Sequence, residues 1–149
     1  MDPKEELWLE GLKQGRPMCF RPLGGSMGPF LRNGDVVTIV ARPGRVGDIV
    51  LAKLGAEMVL HRVVAKSGDR IITKGDALDH FDPPIAKHHV LGKALTLERD
   101  RKISGLDSVT ARLCGLAFCL TLPFFPKMLA LLAKLKPLVQ PGGSIQVAK

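Results

Sequence analysis

The chain has 149 residues, 46% of them apolar and 24% charged, which is enough for one folded domain with a real core and excludes wholesale disorder. Its formal charge of +8 suits nucleic acid or an anionic membrane face. The basic residues are scattered, no helix-turn-helix or zinc-finger pattern occurs, and aromatics are few, so nucleic acid is set aside as a partner.

In chain order, residues 1–16 read as a short helix: Asp2 can cap it, Pro3 fits its first position, and Leu7, Trp8 and Leu12 give it an apolar side. The run from Met18 to Glu98 reads as short strands. Asp35–Val40, Asp48–Leu51, Glu57–Ala65, Arg70–Thr73 and Val90–Leu97 are rich in β-branched residues and separated by Asn33-Gly34, Gly47, Gly55, Ser67-Gly68 and Gly75. No long helical period intervenes. The expected core, residues 17–100, is therefore mainly β, a curved antiparallel sheet or partial barrel.

The composition changes after Arg101. Ser104-Gly105-Leu106-Asp107 resembles a helix-capping box, and 113–126 carry no charge but are too few to span a bilayer, which takes about 20 residues. Two readings fit 101–138: helices packed on the β core, or an apolar segment touching a membrane surface through 106–136 with lysines at the headgroups. Membrane association is the favoured one, and 139–149 read as a loose tail. The cysteines, Cys19, Cys114 and Cys119, have neither metal-ligand spacing nor the even count of a disulfide framework. Cys114 and Cys119 read as small buried hydrophobes. Nothing in the sequence asks for a metal or another cofactor.

Gly24-Gly25-Ser26-Met27-Gly28-Pro29 is a glycine-rich bend presenting one hydroxyl. A serine attacks a carbonyl only when a base takes its proton and backbone N–H groups meet the oxyanion. Alone, the hexapeptide reads as an ordinary turn. His61 lies in a strand where Val59 and Val63 share its side, a partly desolvated place for an imidazole that accepts a proton. Asp76, Asp79 and Asp82 follow the next strand, and any of the three could orient that imidazole.

Taken in order, Ser26-Met27-x-Pro29, Gly34-Asp35-x-Val37, Gly47-Asp48-Ile49-Val50, His61-Arg62-Val63-Val64, Thr73-Lys74-Gly75-Asp76 and Val90-x-Gly92-Lys93 resemble the serine peptidases of the signal peptidase family over about residues 20–95. The resemblance implies the signal-peptidase/LexA-like form of the curved sheet. Bacterial-type signal peptidases and LexA-type repressors use a lysine as base. The His61-Arg62-Val63 run is similar instead to the archaeal and endoplasmic-reticulum type.

By that resemblance Ser26 is the nucleophile, His61 the general base and Asp82 its supporting acid, with Asp76 shaping the same turn. The backbone amides of Ser26 and Met27 are the implied oxyanion donors, and Gly24, Gly25 and Met27 the implied substrate contacts. The implied activity is cleavage of a signal or leader segment from a precursor polypeptide, with a preference for small residues before the scissile bond. Two departures stand out. Family members commonly carry a hydroxyl two positions before the nucleophile, where this chain has Gly24, and they usually carry an N-terminal membrane anchor, where this chain has a polar helix.

The alternative from another class is a module on a peptidase-like scaffold that binds a precursor without cutting it; Gly24 leaves it some room. A self-cleaving DNA-binding repressor is not the expected reading, because it needs a DNA-reading domain before the peptidase core and only about 17 residues precede the first strand. A lysine base, such as Lys74, is the competing proton acceptor.

Overall fold

The structure, a computed structural model, describes residues 3–121. Helix α1 (Pro3–Lys13) opens with Glu5 and Glu6 in its first turn and closes with Lys13 in its last, as the helix dipole favours. It ends where the Gly15 N–H donates to the Leu12 carbonyl and the Arg16 N–H to Gly11. Leu12 is buried, and Trp8 turns toward the sheet, donating its indole N–H to the Cys19 carbonyl at 2.8 Å and meeting Phe20 edge-on. The helix expected over 1–16 is present; the capping by Asp2 lies outside the described residues.

Among the described residues eight strands follow: β1 (Met18–Phe20), β2 (Val36–Val40), β3 (Ile49–Leu54), β4 (Glu57–Ser67), β5 (Arg70–Lys74), β6 (Ile85–Ala86), β7 (Val90–Arg99) and β8 (Lys102–Gly105). They form one sheet in the order β1-β2-β7-β3-β4-β5-β6, with β8 also paired to β7, and every pairing is antiparallel. The register slips at Thr38/Ile39, Leu51/Ala52 and Val63/Ala65. Each slip bends and twists the ribbon, and the sheet curls into a half-barrel flanked by a short N-terminal and a C-terminal helix. The mainly β, curved antiparallel expectation is thus met.

The Gly34-Asp35 and Gly47-Asp48 pairs have one structural cause. In each, the Asp carboxylate accepts the backbone N–H of an arginine three residues back, Arg32 for Asp35 and Arg45 for Asp48, and the Asp N–H returns a bond to that arginine's carbonyl. Gly34 and Gly47 both sit at φ +92, which glycine accepts without steric penalty. The same turn thus launches β2 and β3.

Strand alternation divides the core. Ile49 and Leu51 join Leu12, Met27, Leu31, Val37, Ile39 and Leu60 on one face, while Val50 and Ala52 join Val63, Ile71 and Ile85 on the other. Burying both faces explains why the centre of β4, Leu60–Val63, is closed to solvent on every residue.

The helix start expected at Ser104–Asp107 is corrected. Lys102–Gly105 pair with Thr96–Arg99 through a two-residue turn in which Asp100 and Arg101 take positive φ, so the hairpin claims those backbone groups. The cap is Ser108, whose Oγ accepts the Ala111 N–H at 3.1 Å, and α2 runs Val109–Thr121. One face of α2 packs on the sheet: Gly115 lies against the Arg62 guanidinium, and Phe118 meets Phe30 edge-on at 5.2 Å. Cys119 is buried as expected. Cys114 is exposed, a correction that follows from its place on the opposite face of the helix. The segment readings for 122–138 and the tail at 139–149 lie outside the described residues.

Candidate active site

The loop carrying Ser26 is held from several directions. The Gly24 N–H donates to Asn33 Oδ1 at 2.9 Å, the Gly28 N–H to the Gly25 carbonyl, and the Leu31 N–H to the Met27 carbonyl. Arg99, bound to Asp35 by two hydrogen bonds, also donates to the Phe30 carbonyl at 3.0 Å. The Gly28–Pro29 peptide is cis. The serine is therefore carried on a fixed bend.

Ser26 Oγ lies 3.3 Å from His61 Nε2, and His61 Nδ1 lies 2.6 Å from Asp82 Oδ2. Burial pushes the Asp82 carboxyl up, but hydrogen bonds from His61 and Thr73 outweigh it and hold the group below its usual value. An ionised carboxylate only accepts, so Nδ1 carries the proton that faces Asp82, and in the neutral ring Nε2 is the atom that can accept from the serine hydroxyl. Thr73 fixes the acid twice: its Oγ1–H donates to Asp82 Oδ2 at 2.7 Å, and its carbonyl takes the Asp82 N–H at 2.9 Å. The 3.3 Å separation is of the kind that tightens when a substrate is seated.

The three candidate acids separate cleanly in space. Asp79 is exposed beside His80. Asp76, 0% exposed, does not meet His61; it takes two hydrogen bonds from Arg62, at 2.8 and 2.6 Å. Asp76, one of the three catalytic candidates for orienting the imidazole, is corrected to a supporting place, because its partner Arg62 alternates with His61 and points to the opposite side of β4. Arg62 also donates to the Gly47 carbonyl at 2.7 Å and stacks over the Phe30 ring.

The turn holding Asp76 touches the Ser26 bend directly. The Ala77 N–H donates to the Ser26 carbonyl at 2.8 Å, and the Asp76 N–H reaches Met27 Sδ. A Cβ at Gly75 would stand 2.7 Å from that same carbonyl, so only glycine lets the turn come this close. Lys74, 1% exposed, sends its ammonium away from Ser26, to the carbonyls of Cys119 at 2.7 Å and Gly75 at 3.3 Å. It thereby holds a carbonyl of α2, and among the described residues it makes no hydrogen bond to the serine. Burial pushes the neighbouring Cys119 thiol up to about 11, which keeps it protonated and inert.

Beside Ser26 is a cavity of about 150 Å³, lined by Phe20, Gly24, Met27, Leu31, Met58 and Leu60 among others. Met27 and Gly24 thus face it, and Gly25 is exposed next to them. Among the described residues, β1 pairs only with β2, and residues 57–61 of β4 pair only with β3, so two open strand edges flank the cavity. The N–H groups of Ser26 and Met27 have no backbone acceptor among the described residues.

Ser26, His61 and Asp82 were singled out in the sequence and come together. Thr73, Asn33, Arg62 and the burial of Lys74 were not, although the Thr73-Lys74-Gly75-Asp76 run contained three of the residues that build the support. No protein-family model matches the chain, and no curated protein matches it.

Proposed function

We propose that this chain is a serine endopeptidase that removes a signal or leader segment from a precursor polypeptide through an acyl-enzyme. The observation that carries the reading is the line from Ser26 Oγ through His61 to Asp82, three side chains from distant segments at 3.3 and 2.6 Å. Such a line of hydroxyl, neutral imidazole and buried carboxylate is what activates a serine toward a carbonyl.

In the proposed reaction Ser26 Oγ attacks the scissile carbonyl and His61 Nε2 takes its proton. Asp82 stabilises the imidazolium. The oxyanion is received by the Ser26 and Met27 N–H groups, which is how a site with Gly24 in place of a side-chain donor can still serve. His61 returns the proton to the leaving amine, and water then releases the acyl group. The open edges of β1 and β4 suit a substrate lying as an extended strand, with main-chain hydrogen bonds on both sides. A cavity of about 150 Å³ admits a small apolar side chain next to the cleaved bond.

The test is to incubate the purified protein with a mixed peptide library and identify new termini by mass spectrometry. Cleavage after small residues, absent with Ser26→Ala and with His61→Ala, supports the reading. Equal product from wild type and Ser26→Ala removes it, and peptides retained but never cut would favour the binding module.

A further inference from the structure

Helix α1 lies against β1 and is fixed there. Leu12 is buried in the core with Met27 and Leu31, and a Cβ at Gly11 would stand 3.0 Å from Met18 Sδ, so helix and strand approach closely. Trp8 projects from the same helix and donates its indole N–H to the Cys19 carbonyl of β1 at 2.8 Å. Its ring meets Phe20 edge-on, with the centroids 6.1 Å apart. Trp8, Phe20 and Met58 all pack against the core and are all only half-buried, so each keeps an apolar surface open to solvent.

These three side chains, with Cys19, line a second cavity of about 240 Å³. It adjoins the cavity of about 150 Å³ beside Ser26, because Phe20, Arg21 and Met58 line both. The two form one path that starts at Ser26, passes between β1 and β4 and ends at α1. The far cavity is the larger, and its apolar walls are two rings set edge to face and a methionine. Ring edges, ring faces and a thioether sulfur all pair well with a further aromatic ring. The charged residues beside it, Lys4, Glu5 and Arg21, are of both signs, so it does not select a charged side chain.

We propose that α1 supplies a second substrate subsite, in which Trp8, Phe20 and Met58 receive an aromatic side chain of the precursor at a fixed number of residues from the cleaved bond. The proposal rests on the peptidase reading for its occupant: a substrate strand held along β1 and β4 with its scissile carbonyl at Ser26 leads at one end to α1. The smaller cavity takes a small residue at the bond, and the larger one takes the ring. The substrates recognised are then precursors that carry both features at one set separation. Trp8 touches no reacting atom, so its part is specificity and not chemistry.

The test uses the full chain and a set of alanine-rich peptides in which one phenylalanine is walked through the sequence. The expected kcat/KM is higher by about tenfold or more for one phenylalanine position than for the peptide without it, and this ratio falls to about one in Trp8→Ala. Trp8→Phe, which keeps a ring, should retain part of the preference. Should Trp8→Ala fold poorly, Cys19→Phe fills the cavity from an exposed lining residue and should abolish the preference in its place. Binding is read separately in Ser26→Ala. The chain has one Trp and no Tyr, so its indole emission reports this cavity alone, and it should change saturably with the preferred phenylalanine peptide and not with the alanine one. That emission change without any cleavage by the wild type would remove the peptidase reading and keep the subsite. A wild-type ratio near one at every position, an equal ratio in Trp8→Ala or Cys19→Phe, or no phenylalanine-dependent change in emission overturns the proposal.

Discussion

The backbone N–H of Ala77 donates to the carbonyl of Ser26 at 2.8 Å, joining the turn after β5 to the bend that carries the hydroxyl. The same turn begins with Lys74, contains Asp76 and leads to Asp82. One loop therefore holds the serine by its backbone, anchors to the sheet through Arg62, and delivers the carboxylate that orients His61. Disturbing any of these contacts has a distinct expected consequence.

Asp82→Asn removes the charge that stabilises a developing imidazolium and the acceptor that sets its tautomer. The expected fall in kcat is about 10⁴-fold with little change in KM. Steady-state kinetics on a cleaved peptide checks it. The Asp79→Asn protein should keep wild-type rates, since Asp79 is exposed and pairs with His80 at the surface.

Asp76→Asn acts on stability. The Arg62–Asp76 pair is buried on both sides, and the variant leaves the guanidinium uncompensated. Removing one partner of such a pair costs about 3–5 kcal/mol. Urea unfolding should show the midpoint move down with the slope unchanged.

Lys74→Met keeps the length of the side chain and deletes the ammonium that holds the Cys119 carbonyl. A buried charged hydrogen bond of this kind contributes about 1.5–3 kcal/mol, and its loss should appear in the unfolding free energy. Because Lys74 adjoins the Gly75 turn against Ser26, kcat should fall while KM holds. The Lys74→Met protein should retain the pH dependence of the wild type, since the Lys74 ammonium is engaged by the Cys119 and Gly75 carbonyls and not by Ser26.

Stability should also depend on acid. The Arg99 hydrogen bond holds the Asp35 carboxyl below its ordinary value of about 3.9. Asp82 is likewise held low, by hydrogen bonds that outweigh its burial. The unfolded chain then binds protons that the fold refuses, so this contribution is complete above about pH 4 and is lost as pH falls through the lower folded values. Thermal melting of Asp35→Asn should lie below wild type at neutral pH, with the gap narrowing in acid.

Much of this was legible in the sequence, unevenly and for identifiable reasons. Strands β2 to β5 and β7 declare themselves because β-branched runs end at Gly, Asn and Asp. Strand β6, at two residues, has no pattern to read, and β8 hid behind a Ser-x-x-Asp that looked like a cap but belongs to a hairpin. Ser26 and His61 stood out through the ordered series of motifs, not through either residue alone. Spacing could not choose among Asp76, Asp79 and Asp82. The choice is made by Thr73, which grips Asp82, and by Arg62, which takes Asp76. Lys74 and Arg62 are residue types that usually face water. Their burial depends on α2 arriving from the far end of the chain, a contact no local pattern records.

The most direct measurement is covalent labelling of the intact protein with a peptidyl phosphonate bearing a small residue next to phosphorus, located by tandem mass spectrometry. One adduct on Ser26, absent in Ser26→Ala and formed far more slowly in His61→Ala, is the predicted result. An adduct on another residue, or labelling of Ser26 at an unchanged rate without His61, would contradict the account.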